Sequence, residues 1–201
     1  MTGSFLGDPP ASPQVQALYD EDLADGGYVS NGSRLWAHQP GTMTGLFELM
    51  SAAFRPSGLT FRQRGILVTA AASALGDSYC SLAWGGKLGQ ASNAAIAAGV
   101  LDGSDAGLTG QEKAMAAWAR KVAKDPNATT PADVQALRDA GLGDGQIFAI
   151  TAFVALRLAF STINDSLGAQ PDAELAQSLP REVREAVTYG RPIAQAPDEQ
   201  H

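Results

Sequence analysis

The chain has 201 residues, of which 45% are hydrophobic and 17% charged, so a single domain can bury a substantial core. Its formal net charge of -7 argues against nucleic acid as a partner, because a phosphate-binding face needs clustered Lys and Arg. A single cysteine excludes an intramolecular disulfide and a cysteine-based zinc site. We interpret the nearest basic clusters as solvated helix faces; they are Arg62 with Arg64, and Arg120, Lys121 and Lys124.

Helical signals dominate the first half of the chain. Ser12 followed by Pro13 predicts a helix start, because serine caps helix N-termini and proline suits the first turn. The run 66–75 is apolar on nearly every side, which predicts a buried helix, and Gly76 is expected to interrupt it. The predicted elements are a flexible lead-in at 1–12 and helices at 13–23, within 27–39, and at 42–54, 60–75 and 78–98.

The second half repeats these start signals. Thr109, with Glu112 three residues later, has the pattern of a capping box, and Thr130 followed by Pro131 gives another start. No segment alternates apolar and polar residues with period two, so we predict an all-α fold. The remaining predicted elements are helices at 110–124, 131–140, 146–167, 171–178 and 180–189, in one domain spanning 13–190, and a flexible tail at 191–201.

The chain shows no targeting or membrane signal. Its first residues lack the basic segment and long apolar core of a signal peptide. The apolar runs 66–75 and 147–160 are shorter than the roughly 18–20 residues of a membrane span, and Arg157 interrupts the second. We therefore expect a soluble, cytoplasmic protein without a membrane partner.

Candidate chemistry is concentrated at the start of the helix predicted for 78–98. Asp77 and Cys80 are three residues apart, which places them one turn apart on one helix face. Cys80 is either a nucleophile or a small buried apolar side chain. Asp77 is either an acid or base in an apolar cavity or the N-cap of the helix, and the two roles are compatible.

Four further residues are candidates for lining the same site. Arg157 lies in an apolar helix, where it could bind a substrate carboxylate, pair with Asp77 or Asp165, or turn to solvent. Trp84 could form a flat wall of a ligand pocket or belong to the core. The other two are Tyr79, a hydrogen-bond donor beside the thiol or a packing residue, and His38, a base or part of a structural leader helix.

These segments resemble the carboxymuconolactone decarboxylase and alkylhydroperoxidase D superfamily. The matching pieces are residues 59–75, the tetrapeptide 77–80, and residues 108–125 and 130–168; residues 28–40 resemble the leader of peroxidase-related members. The resemblance spans roughly residues 15–180. It implies an all-α helical bundle that forms a homo-oligomer, as a dimer, trimer or hexamer, and the apolar face of 78–98 suits the contacts between subunits.

The family's peroxidase site is a set of four residues, and this chain keeps one of them. It comprises two cysteines in a C-x-x-C motif, a histidine four residues after the second, and a glutamate fifteen residues before it. Carried over by position, the second cysteine is Cys80, while the other three positions hold Asp77, Trp84 and Gly65. A two-cysteine disulfide cycle within the chain is therefore excluded, since it needs a second thiol.

Three functions remain open from the sequence. The first is a repurposed, cofactor-independent enzyme that performs lyase or isomerase chemistry on a small organic substrate in the former peroxidase cavity. The second is a one-cysteine alkyl hydroperoxidase that uses Cys80, and the third is a non-catalytic binding or scaffold protein. We find no motif for a nucleotide, haem or flavin and no histidine spacing for a metal, so no cofactor is expected.

Overall fold

The structure is a computed structural model that describes residues 4–195. Residues 1–3 of the predicted lead-in and 196–201 of the predicted tail lie outside the described part. Every regular element in the described range is helical, which confirms the all-α prediction. The helices are α1 (Pro13–Gly26), α2 (Asn31–Trp36), α3 (Pro40–Phe54), α4 (Phe61–Leu75), α5 (Ser78–Ala91), α6 (Ala94–Asp102), α7 (Gly110–Lys124), α8 (Pro131–Asp139), α9 (Asp144–Ser166), α10 (Ala173–Ser178) and α11 (Arg181–Ala186), with 3-10 turns at Arg55–Ser57 and Pro126–Ala128.

The predicted helix starts are confirmed by their caps. The hydroxyl of Ser12 accepts a hydrogen bond from the backbone N–H of Val15 at 3.2 Å. Thr60, Thr109 and Thr130 each form a capping box with the residue three positions later. Each box satisfies backbone donors that the helix itself leaves without acceptors, so local sequence is enough to place these starts.

The prediction of one helix over 78–98 is wrong, because two helices occupy this segment. α5 ends at Ala91 and α6 begins at Ala94. The hydroxyl of Ser92 bonds back to the carbonyl oxygen of Leu88, and the side chain of Asn93 caps α6 by accepting from the N–H of Ile96 at 2.9 Å. Serine and asparagine side chains compete with the helix for backbone groups, which ends α5 here.

The two apolar helices form the centre of the bundle. α4 packs most extensively on α7 and α5, and α9 packs on α3, α4 and α7. Ile66 and Leu67 of α4 and Ile150 and Phe153 of α9 are fully buried. By length and composition alone, α9 is apolar enough to cross a membrane, and it packs in this core against α3, α4 and α7.

Two glycines let the end of the chain lie close to α5. A Cβ added at Gly85 would lie 3.0 Å from side-chain atoms of Leu101 and Val183, and one added at Gly86 would clash with Leu179. α6 and α11 therefore cover this face of α5. Since the chain itself buries this face, it is not available for the contacts between subunits that the sequence suggested for it.

The described parts of the lead-in and the tail are bonded to the core. The N–H of Phe5 donates to the carbonyl oxygen of Leu167 at 2.8 Å. The hydroxyl of Ser78 donates to the carbonyl oxygen of Arg191, also at 2.8 Å, and the N–H of Ala194 donates to Pro171. The segment around residue 190 thereby lies across the first turn of α5.

Candidate functional site

The first turn of α5 brings Asp77 and Cys80 together. Asp77 is the N-cap, and its Oδ1 accepts a hydrogen bond from the N–H of Cys80 at 2.8 Å. Gly76, with a φ of 81°, ends α4 immediately before it. A left-handed glycine followed by a capping aspartate makes a tight joint between two helices, so the thiol and the carboxylate lie against the buried α4.

The thiol of Cys80 is buried, and two donors point at its sulfur. Its exposed fraction is 2%. Nη2 of Arg157 lies 3.4 Å from Sγ, and Oγ of Ser161 lies 3.5 Å from it. Burial, followed by the charge of Asp77, raises the pKa of the thiol to about 12, although Arg157 acts in the opposite direction. Cys80 is therefore a neutral thiol at physiological pH.

Asp77 keeps one carboxylate oxygen free. The residue is fully buried, and Oδ2 has no hydrogen-bond partner among the described residues. The segment around Gly190 helps to shield it, because the hydroxyl of Tyr189 donates to Ser81 at 3.0 Å while Ser78 bonds to Arg191. An unsatisfied buried carboxylate oxygen is costly, and such groups are concentrated at functional sites.

Arg157 is the guanidinium of this group, and it is not turned to solvent. Only 4% of it is exposed. Besides Cys80, Nη1 contacts Sδ of Met50 at 3.9 Å, and Cζ lies 5.4 Å from the ring centre of Trp84 and 5.0 Å from that of Phe160. No carboxylate of residues 4–195 pairs with it, so neither Asp77 nor Asp165 is the partner considered from the sequence.

Besides Arg157, Trp84 contacts two cations that were not predicted to belong to the site. Cζ of Arg64 lies 5.3 Å from its ring centre, and Nζ of Lys87 lies 5.1 Å from it. The interpretation of Arg62 and Arg64 as a solvated face is wrong. Arg64 is half-buried against aromatic rings, and Arg62 pairs with Glu112 at 2.6 Å. The only sequence signal was spacing, since Lys87 follows Trp84 by three residues.

The structure places the other two candidates elsewhere. The hydroxyl of Tyr79 donates to Oδ2 of Asp172 at 2.9 Å and accepts from the N–H of Gly32 at 3.0 Å, in a separate small cluster with Leu35. His38 is exposed, with Nε2 lying 3.1 Å from a backbone oxygen in the lead-in. Neither side chain is a hydrogen-bond partner of the sulfur of Cys80, whose partners are Arg157 and Ser161.

A surface cavity lies beside this group rather than within it. Its volume is about 330 Å³, and it is lined by Ser78, Leu82, Arg184 and residues 187–193. Cys80, Trp84 and Arg157 do not line it. We place the candidate site at the buried thiol because the unpartnered carboxylate oxygen and the guanidinium are there, whereas the cavity contributes only its edge at Ser78.

No known family model matches the chain, and no curated protein matches it in sequence. Solved structures do match. One is an uncharacterized peroxidase-related protein from Ralstonia eutropha JMP134, described as an alkylhydroperoxidase AhpD core. It aligns with a TM-score of 0.76 at 25% identity, over 86% of this chain and 94% of that one. A peroxidase-related protein from Silicibacter sp. TM1040 aligns with a TM-score of 0.77 at 19% identity, over 87% and 95%.

The debrominase Bmp8 also has this fold. It aligns with a TM-score of 0.70 at 16% identity, over 90% of this chain and 97% of that one. A variant of that enzyme, with a cysteine replaced by alanine, has been solved in complex with 2,3,4-tribromopyrrole. These matches confirm the fold and the family resemblance that the sequence suggested, over nearly the whole chain.

Proposed function

Because the chain shares the fold of alkylhydroperoxidase D-like proteins, we propose that it is a cofactor-independent enzyme of this superfamily. It performs acid–base chemistry of the lyase or isomerase type on a small organic substrate, in the core that other members use for thiol chemistry. Asp77 is the base, Arg157 stabilises the negative charge that develops, and Cys80 is a neutral hydrogen-bonding group.

The observation that carries this proposal is the free oxygen of Asp77. Oδ1 is occupied by the cap to Cys80, while Oδ2 is buried without a partner. A carboxylate held rigidly by one oxygen presents the other for proton transfer. General base catalysis by a positioned side chain typically raises a reaction rate by about 10²–10⁴-fold.

Asp77 and Arg157 are sufficient for the whole proton transfer. Oδ2 of Asp77 takes a proton from a substrate carbon next to a carbonyl, and the electron pair of that C–H bond moves toward the carbonyl oxygen. Arg157 stabilises the resulting anion, as preorganised donors do for developing oxyanions. Return of the proton to a neighbouring carbon gives an isomer, and elimination from the same anion gives a lyase product. No oxidant or reductant is consumed.

The state of Cys80 favours this chemistry over nucleophilic attack. A reactive cysteine needs its pKa lowered, whereas burial and Asp77 raise the pKa of Cys80 to about 12. A neutral thiol between a carboxylate and a guanidinium can donate to one and accept from the other. Cys80 then orients the two charged groups without itself forming a bond to substrate.

Exchange of substrate hydrogen for deuterium tests the proposal. The protein is incubated in D₂O with a panel of small 2-oxo and 3-oxo acids, and deuterium incorporation is followed by NMR. We expect wild type to exchange at least one of them, and Asp77→Asn to lose at least about a hundredfold in rate. Asparagine caps helices as well as aspartate does, so the variant retains the fold. Equal rates in both proteins would overturn the proposal.

A second candidate is a thiol-dependent enzyme, which the contact of Arg157 with Cys80 at 3.4 Å favours. A thiolate attacks a hydroperoxide to give the sulfenic acid and an alcohol, and two molecules of an external thiol restore the cysteine with release of a disulfide and water. The debrominase relative, whose cysteine variant binds 2,3,4-tribromopyrrole, supports testing that compound as well. Consumption of cumene hydroperoxide or debromination that is lost in Cys80→Ser would establish this candidate instead.

We further propose that the protein is a cytoplasmic homo-oligomer, as the resemblance implies. Since α6 and α11 cover one face of α5, the support comes from other helices. Leu49 of α3 and Phe148 of α9 are 54% and 76% exposed, and contact with another subunit would bury them. Sedimentation velocity tests this, and a single species of 20.8 kDa would contradict it.

A further inference from the structure

Three cations converge on one aromatic ring from three different helices. Arg64 comes from α4, Lys87 from α5 and Arg157 from α9, and each lies within 5.4 Å of the ring centre of Trp84. Arg64 also lies 5.6 Å from the ring of Phe54 and 5.3 Å from that of Phe153. The chain therefore concentrates positive charge at one point, although its formal net charge is -7.

No carboxylate forms an ion pair with any of these three cations within residues 4–195. The ion pairs of that range use other cations, such as Arg62 with Glu112. Nε of Arg157 is buried without an acceptor although only 4% of the residue is exposed, and Nε of Arg64 is buried without an acceptor too. A buried guanidinium without a counter-ion is strongly unfavourable.

The cations also act against one another. Burial and then the charge of Arg157 lower the pKa of Arg64. Burial, then Arg157 and Arg64, lower the pKa of Lys87. An anion that binds all three cations would relieve this repulsion. The cluster is therefore suited to binding an anion.

We propose that this cluster binds the carboxylate of a small, planar organic acid, which is the substrate class of the site. Guanidinium groups present parallel donors that match a carboxylate, and the free Nε atoms supply such donors. The ring of Trp84, which Arg64 and Arg157 both contact, gives an apolar surface beside the bound carboxylate. This inference rests on the proposed function, because it supplies the substrate of the same site.

The cluster has an edge that a ligand can approach. Phe61 lies 6.1 Å from Trp84 and is 52% exposed, and Arg64 is half-buried. Inward from this edge, Arg157 lies 5.4 Å from the ring centre of Trp84, and the sulfur of Cys80 lies 3.4 Å from Nη2 of Arg157. A carboxylate held by Arg64 and Arg157 would lie close to Cys80, whose sulfur is 3.4 Å from Nη2 of Arg157, and the bond from the N–H of Cys80 to Asp77 brings the proposed base to the same place.

Binding of benzoate, compared with its neutral analogue benzamide, tests the inference by isothermal titration calorimetry. We expect saturable benzoate binding to wild type and at least about tenfold weaker binding of benzamide, the difference expected for a charge-assisted pair. Arg64→Gln should weaken benzoate binding by at least about tenfold. Arg55→Gln removes the same charge from an exposed position, and it should bind benzoate as wild type does.

Three results would overturn the inference. They are equal affinities for benzoate and benzamide, undiminished benzoate binding by Arg64→Gln, or inorganic phosphate binding as tightly as benzoate. The last would mean an anion site without selectivity for an organic acid. The proposed function is judged separately, by the deuterium exchange rate of Asp77→Asn. Exchange activity retained by that variant would remove the proposed base, and the anion site would stand.

Discussion

Arg157 and Cys80, which are 77 residues apart in the chain, meet in the core with Nη2 of the guanidinium 3.4 Å from the sulfur. Both side chains are almost completely buried. This contact joins α5 to α9 at the position where the superfamily resemblance implies a peroxidase thiol. In this chain the thiol is accompanied by a guanidinium and a carboxylate, so the site holds acid–base groups without the second cysteine.

The first prediction concerns the reactivity of Cys80. Because burial and Asp77 raise the pKa of the thiol to about 12, the native protein should react with a disulfide reagent at about pH 7.5 far more slowly than a free cysteine does. Unfolding in guanidinium chloride should release one fully reactive thiol. The assay follows absorbance of the released thiolate. Rapid, stoichiometric reaction of the native protein would show an activated thiol and favour the hydroperoxidase.

The second prediction separates Tyr79 from the site. Tyr79→Phe removes the hydrogen bonds to Asp172 and Gly32, so it should lower the free energy of unfolding by about 1–3 kcal/mol. It should leave benzoate affinity unchanged, because the hydroxyl lies in a different cluster. Urea denaturation and calorimetry measure the two effects. A variant of normal stability with weakened benzoate binding would place Tyr79 in the ligand pocket.

The third prediction tests the close approach of α5 and the segment after α10. A Cβ at Gly86 would clash with the end of the Leu179 side chain, which must leave its rotamer within the core, so Gly86→Ala should destabilise the protein by about 1 kcal/mol. Gly89→Ala is the matched control, since the nearest atom to its Cβ would be 3.8 Å away in Ala97. The control should gain up to about 1 kcal/mol in helix propensity. Equal urea midpoints for the two variants would refute the close approach.

The fourth prediction is a pH dependence at Asp165. Burial, then the charge of Asp77, raises its pKa from 3.8 to about 6, while Arg191 opposes the shift. The folded state therefore binds this proton more tightly than the unfolded state. The stabilisation of the folded state by this tighter proton binding is fully present below about pH 4, and it is lost as the pH rises to about 6.

Asp165→Asn removes this titration. Relative to wild type, the variant should become more stable by about 1 kcal/mol between about pH 4 and pH 7, a value reduced for solvent screening because the side chain is only half-buried. Urea unfolding at the two pH values measures the change. A stability difference that is the same at both would mean that Asp165 titrates normally.

The sequence was sufficient where structure is decided locally. Caps such as Ser12, Thr60 and Thr109 lie within three residues of the donors they satisfy, and so the starts of their helices were predicted. The break at Asn93 was missed although its signal was local. The alanines around it favour helix, and this propensity masked a residue that caps a new helix.

The site was predictable only along a single helix. Asp77, Cys80 and Trp84 lie on one side of α5, and their spacing places them together. The convergence of Arg64 and Arg157 on Trp84 depends on how α4 and α9 pack against α5, and periodicity carries no information about this. His38 and Tyr79 were predicted to line the site, but His38 is exposed beside the lead-in and Tyr79 belongs to a separate buried cluster.

The most direct test of the account compares Asp77→Asn with Cys80→Ser in the deuterium exchange assay, on one organic acid that wild type exchanges. Asp77→Asn should lose at least about a hundredfold in rate, because it removes the base. Cys80→Ser should retain most of the activity, because a hydroxyl still accepts from Arg157. The opposite order, with Cys80→Ser inactive and Asp77→Asn active, would contradict the account and assign the chemistry to the thiol.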